Sequence, residues 1–167
     1  MKVGIIMGSD SDLPVMKDAA DFLESLKIPY EITIVSAHRT PQRLYDYAMS
    51  ARNRGISVII AGAGGSAHLP GMIASITTLP VVGVPIETKA LGGVDSLYSI
   101  VQMPPGIPVA TVGIDAAQNA GILAVQMLAL DNPELKEKLA KFKAGLKDKI
   151  VKANIELKEV KYKFRVN

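Results

Sequence analysis

The chain has 167 residues, enough to bury a core without disulfides or a structural metal and short enough for one domain. It is 49% hydrophobic but only 5% aromatic, so the core must be built from Val, Ile, Leu, Ala and Met, and the absence of cysteine excludes thiolate zinc sites and cysteine nucleophiles. The net charge of +3 is carried by one end: residues 131–167 hold 11 of the 19 Lys and Arg but 6 of the 16 Asp and Glu, which leaves the body slightly acidic and argues against nucleic-acid binding.

No charged, apolar and small-residue progression opens the chain, and no uncharged apolar stretch approaches the roughly 20 residues of a membrane span. The expectation is a soluble, untargeted, cytoplasmic protein with no membrane partner.

Taken in order, "KVGIIM" (Lys2 to Met7) is a β-branched run that ends at Gly8, as a buried strand entering a turn should. Ser11 or Asp12 as cap and Pro14 in the first turn then announce a helix, with Leu13, Met16, Ala20, Leu23 and Lys27 tracing one face. "YEITIV" (Tyr30 to Val35) is the second strand. Pro41 starts a helix running to about Arg54, where Gly55 stops it.

"SVIIA" (Ser57 to Ala61) is the third strand, followed by a glycine loop and a helix near Leu69 to Thr78. "VVGV" (Val81 to Val84) and "PVATV" (Pro108 to Val112) complete the strands. Alternation of strand and helix predicts a parallel sheet covered on both faces, a three-layer α/β/α domain of flavodoxin-like or Rossmann-like type.

"AAQNAGILAVQMLAL" (Ala116 to Leu130) is apolar nearly all round, so it either lies in the core or packs against another subunit. Leu135, Leu139, Phe142, Leu146, Ile150, Ala153, Leu157 and Val160 then recur every three or four positions, with lysines on the opposite face. Residues 1–130 thus read as an α/β core, and 131–167 as a C-terminal amphipathic helix and tail of the same catalytic domain. The all-apolar helix and the amphipathic one after it together favour a homo-oligomer.

Ligands of open parallel sheets bind outside the carboxyl ends of the strands. Three polar loops sit there: "GSDSD" (Gly8 to Asp12), "SAHRT" (Ser36 to Thr40) and "GAGGSAHLPG" (Gly62 to Gly71). In the first, Gly8 allows close approach, Ser9 and Ser11 suit a phosphate at a helix start, and Asp12 suits sugar hydroxyls; an ordinary capped turn would use the same residues.

The second loop adds Arg39, a fixed-charge fork for phosphate, and His38, a side-chain type that ordinarily changes charge near pH 6.5 and so suits proton transfer. Loop histidines are as often structural.

In the third loop, Gly62, Gly64 and Ala67 fit a dinucleotide fingerprint with Glu87 about 20 residues on, which keeps a nicotinamide or flavin protein as a rival. The match begins at the third strand and is interrupted by Pro70 and Gly71, which weakens it. His68 either caps or orients the next helix or takes part in chemistry. No metal-ligand spacing, phosphate-binding lysine loop or serine-nucleophile elbow is present.

Together "MGSDSD", "VSAHRTP", "AGAGGSAHLPGM" and "GVDSLYSIVQMPPGIPVATV" closely resemble the 5-(carboxyamino)imidazole ribonucleotide mutase family of bacterial-type purine biosynthesis, also described as the catalytic subunit of phosphoribosylaminoimidazole carboxylase. The likeness runs in order from about Val3 to Leu130. It implies an isomerase that moves a carboxyl group from the exocyclic nitrogen of an imidazole ribonucleotide to a ring carbon, without ATP, metal or organic cofactor.

On the family's pattern, Ser9, Ser11 and Arg39 hold the phosphate, and Asp12, after Gly8, holds the ribose. Ser36, Ala37, Gly62, Ala63, Gly64, Gly65, Ser66 and Leu69 surround the base and migrating carboxylate. His38 matches the catalytic histidine and His68 lies at its glycine-loop counterpart.

The family also implies a homo-octamer with sites at subunit contacts, and leaves open whether residues of "SLYSIVQMP" serve a neighbour's site. Animal-type relatives, which carboxylate aminoimidazole ribonucleotide directly, depart from "SAHRTP" and "GAGGSAHLPG", both kept here, so the mutase is favoured. The lysine-rich end beyond about Glu134 is where the family varies.

Overall fold

The computed structural model describes every residue except Tyr162, Arg165 and Asn167. It divides into two compact units, residues 1–128 and 129–167.

In the first unit, strands β1 (Lys2–Met7), β2 (Tyr30–Ile34), β3 (Ile56–Gly64), β4 (Val81–Ile86) and β5 (Ala110–Thr111) form one sheet in the order β2-β1-β3-β4-β5. Every pairing is parallel. The parallel sheet is the one expected from the alternation, and of the two types left open its order is the flavodoxin-like one; its direction reverses between β1 and β3, where the loops splay to open a crevice.

The runs of β1, β3 and β4 are buried on both faces, as strands between two helical layers require, whereas edge strand β2 leaves Ile32 and Ile34 exposed. Ile6, Ile59, Ala61 and Val81 cluster with residues of α2 (Pro41–Ala51), α3 (Leu69–Ile76) and α4 (Val94–Val101). On the other face α1 (Leu13–Ser25) packs along α5 (Ala117–Leu128).

Gly62 faces that second layer: a Cβ there would collide with Met16, so the glycine lets α1 lie close to the sheet. Within α1, Met16, Ala20 and Leu23 are buried as expected, but Leu13 is exposed and Lys27 lies beyond the helix in a left-handed turn, φ +56°.

Several elements differ from the sequence reading. β3 runs on through Ala63 to Gly64, paired as far as Gly64↔Ile86, so the glycines of the dinucleotide-like G-x-G are strand residues rather than a phosphate turn. β4 likewise reaches Ile86, and α2 ends at Ala51. β5 keeps two residues, since Pro104, Pro105 and Pro108 deprive the approaching segment of donors. Helix α4 was not anticipated at all.

Helix α5 takes the first of its two alternatives: Ala117, Ala120, Gly121, Ala124 and Val125 are buried within its own chain, while Gln118, Asn119 and Gln126 are exposed.

In the second unit, a short 3-10 turn at Ala129–Asp131 leads into α6 (Pro133–Glu159). Asn132 caps the helix by accepting from the Leu135 N–H. Along α6 the apolar row is exposed beyond Phe142, with Leu146 at 49% and Ile150 at 63%. Among the described residues no helix is long and apolar enough to cross a membrane.

Candidate active site

The loops following β1, β2, β3 and β4 meet at the carboxyl edge of the sheet around a cavity of about 610 Å³, within the roughly 300–1,000 Å³ of small-molecule sites. Gly8, Ser9, Ser11, Asp12, Ser36, Ala37, His38, Arg39, Ala63, Gly64, His68 and Leu69, all singled out from the sequence, line it. Gly62, Gly65 and Ser66 do not. Gly62 packs on Met16, Ser66 is exposed, and Gly65 forms a left-handed turn, φ +69°, behind the wall.

Four further residues line it: Ala67 and Glu87, which the sequence offered only as parts of the rival dinucleotide fingerprint, and Ile86 and Thr88, which it did not offer at all. Ile86, Glu87 and Thr88 end β4 or follow it, so the carboxyl-edge rule that selected the other loops also covers them.

The β1 loop tightens into one 3-10 turn whose capping box is complete. Ser9 Oγ accepts from the Ser11 N–H, and the Asp12 carboxylate accepts from the Ser9 N–H at 3.1 Å. The Ser9 hydroxyl donates to Asp10, so to donate to a bound anion it must first turn from that carboxylate. Asp12 is buried, and burial holds its carboxyl above the ordinary range despite the bonds from Ser9 and Ser11.

Thr40 closes the β2 loop: its hydroxyl donates to the Ser36 carbonyl and accepts from the Ser36 N–H. Arg39 then bridges two loops, its Nε to Ser36 Oγ at 3.2 Å and its Nη2 to the Gly8 carbonyl at 3.3 Å. A guanidinium so placed adds positive charge beside the β1 turn.

His68 stands at the N-terminus of α3, but its side chain makes no capping bond. It meets His38 instead: His38 Nε2 and His68 Nδ1 lie 2.6 Å apart, with the rings nearly perpendicular at 81°. One nitrogen must carry the hydrogen and the other the lone pair, so one imidazole donates to the other between loops 30 residues apart. Such a pair can pass a proton to a ligand and take one back. Among the described residues no group of His, Asp and Glu is arranged to hold a metal ion.

A parallel sheet with four loops gathered over one cavity, and a hydrogen-bonded histidine pair at its edge, defines an enzyme acting on a small molecule. The chain belongs to the AIR carboxylase family, whose model matches residues 2–149.

It is 65% identical over 146 residues to the N5-carboxyaminoimidazole ribonucleotide mutase of Pyrococcus abyssi, covering 87% of this chain and 84% of that protein. Against the enzyme of the same name from Thermotoga maritima it is 60% identical, with 99% and 97% covered. The crystal structure of Treponema denticola PurE superposes with a TM-score of 0.83 at 27% identity, covering 95% of this chain and 99% of that one.

Proposed function

We propose that this chain is a purine-biosynthetic isomerase that converts 5-(carboxyamino)imidazole ribonucleotide to 4-carboxy-5-aminoimidazole ribonucleotide. The observation that carries this reading is the His38–His68 contact, set between the Arg39 and Ser9 side of the cavity and the Gly64 wall. The names of the Pyrococcus and Thermotoga relatives supply the substrate.

In this reading Ser9, Ser11 and Arg39 bind the phosphate and Asp12 the ribose hydroxyls, which fixes the imidazole opposite the glycine wall. His38, protonated, gives its proton to the exocyclic nitrogen as the nitrogen–carboxyl bond breaks and carbon dioxide leaves. The ring carbon then attacks the carbon dioxide and loses its own proton to the now neutral His38. The proton count balances, and His38 ends as it began. His68 holds the His38 ring.

Carbon dioxide must remain in place between the two steps, which suits a wall that includes the buried apolar side chains of Ala37, Ala63, Leu69 and Ile86. A cytoplasmic homo-octamer belongs to the same reading, with the exposed row of α6 available for contact between copies.

The test is incubation of the purified protein with 4-carboxy-5-aminoimidazole ribonucleotide, chelator present and no ATP, followed by ultraviolet absorbance. Appearance of the carboxyamino isomer supports the reading. No conversion by folded protein would overturn it.

A further inference from the structure

We propose that Ser96, on α4 and outside the cavity, is a positioning residue that fixes the glycine wall and, through it, His68. The inference rests on the mutase reading and adds to it a residue that touches neither substrate nor histidine.

Among the described residues Ser96 is one of three buried polar ones and is fully inaccessible. A buried hydroxyl is tolerated only when its bonds are made. Here both are: Ser96 Oγ accepts from the Gly65 N–H at 2.9 Å and donates to the Ile86 carbonyl at 2.7 Å.

Those two backbone groups lie where the β3–β4 ladder ends, at the pair Gly64↔Ile86. Beyond that point the strands offer no partner, and one side chain takes over the pairing.

Gly64 and Ile86 line the cavity, whereas Gly65 turns away with φ +69° and open space where a Cβ would stand. The turn is thus a backbone requirement, and the hydrogen bond from Ser96 holds it. The Ser99 hydroxyl, bonded chiefly to the Asp95 carbonyl at 2.8 Å, also reaches the Gly65 carbonyl at 3.4 Å. Asp95 in turn accepts from the Thr88 hydroxyl at 2.7 Å, so the start of α4 is tied to the cavity rim on the β4 side.

His68 follows Gly65 by three residues through one tight turn, Ala67 N–H to Gly64 carbonyl, and it must arrive within 2.6 Å of His38. A Gly65 peptide free to rotate would spoil that contact and the wall together. The phosphate and ribose side is built from the β1 and β2 loops, which Ser96 does not touch.

The experiment compares Ser96→Ala with Val125→Ala, an equally buried change on α5 remote from the cavity. Ser96→Ala is expected to lower kcat at least 20-fold with KM within threefold of wild type, and to speed hydrogen exchange at the Gly65 amide at least tenfold while Gly8 is unchanged. Val125→Ala, with a similar fall in Tm, is expected to keep kcat within twofold. Ser96→Cys, which fills the volume but bonds weakly, serves the same comparison should the alanine variant not fold.

If kcat stays within twofold of wild type, or kcat and KM move as they do in Val125→Ala, Ser96 is merely structural and the proposal is overturned. An inactive wild type would overturn the mutase reading instead; the Gly65 amide then decides, and unaltered exchange there overturns the brace.

Discussion

His38 and His68, brought from different loops to 2.6 Å at the cavity, form one hydrogen-bonded pair. Replacing His38 by Asn removes the group that gives and takes the proton, and kcat is expected to fall by about 10²- to 10⁴-fold with KM within threefold. His68→Asn leaves the acid–base group but not its partner. A smaller kcat loss is expected, about tenfold, because the His38 ring loses the contact that orients it. Steady-state kinetics of the two variants reads both; a kcat identical to wild type in His68→Asn would remove His68 from the mechanism.

Arg39 carries the anion-binding prediction. Its guanidinium links the Gly8 carbonyl to Ser36 and forms no salt bridge among the described residues, although the Asp10 carboxylate feels its charge, so its remaining N–H groups can turn to a phosphate. Arg39→Ala is expected to raise KM about tenfold to a hundredfold, as befits loss of a hydrogen bond to a charged group. Titration with the nucleotide, and with its nucleoside, checks the assignment: the variant should lose affinity for the first and little for the second.

Asp12 exchanges stability for binding. Burial raises its carboxyl above the ordinary range, so the folded state favours the protonated form, and that contribution is lost as pH rises through the folded value. At neutral pH the ionised carboxylate is therefore a net cost. Asp12→Asn keeps an acceptor for the Ser9 N–H and is expected to raise Tm at pH 7, with the advantage shrinking toward pH 4. Substrate affinity is expected to fall at least tenfold, since a charged acceptor for ribose hydroxyls is gone. Thermal melts at the two pH values and a binding titration test the pair of effects.

Far from the cavity, Glu31 on β2 joins Lys2 on β1 and Arg54 after α2 at 3.0 and 2.9 Å. Burial works to raise this carboxyl, but the bonds to Arg54 and Lys2 outweigh it and hold it below its ordinary 4.5. The sign is opposite to that of Asp12: the stabilisation is present above the unfolded value and is lost as pH falls through the folded one. Glu31→Gln is expected to cost about 1 kcal/mol at pH 7, as suits partly exposed pairs. The difference in Tm from wild type should vanish in strong acid, while activity is untouched.

Much of this molecule is legible in its sequence for a physical reason. The runs "KVGIIM" and "SVIIA" are β-branched and bounded by glycine or polar turns, so sheet and alternation follow from short-range chemistry. Loops at strand ends could be chosen because parallel topology puts them on one edge. Helix α4 was missed because "VDSLYSIV" is rich in β-branched and aromatic residues between a glycine pair and a proline pair, a composition that does not announce a helix. Gly62 was grouped with the ligand loop, although β3 carries it into the sheet against Met16. Ser96 opens the quoted segment "SLYSIVQMP", but nothing local announces its hold on the glycine wall, because its partners lie 31 and 10 residues away and only folding brings them to its hydroxyl.

The most direct measurement uses substrate labelled with ¹³C in the migrating carboxyl group and excess unlabelled bicarbonate in the medium. Carbon dioxide held in the cavity between bond breaking and bond making predicts that 4-carboxy-5-aminoimidazole ribonucleotide retains the label at early turnover. Product carrying the medium's unlabelled carbon would contradict retention and identify direct carboxylation of aminoimidazole ribonucleotide by free carbon dioxide or bicarbonate.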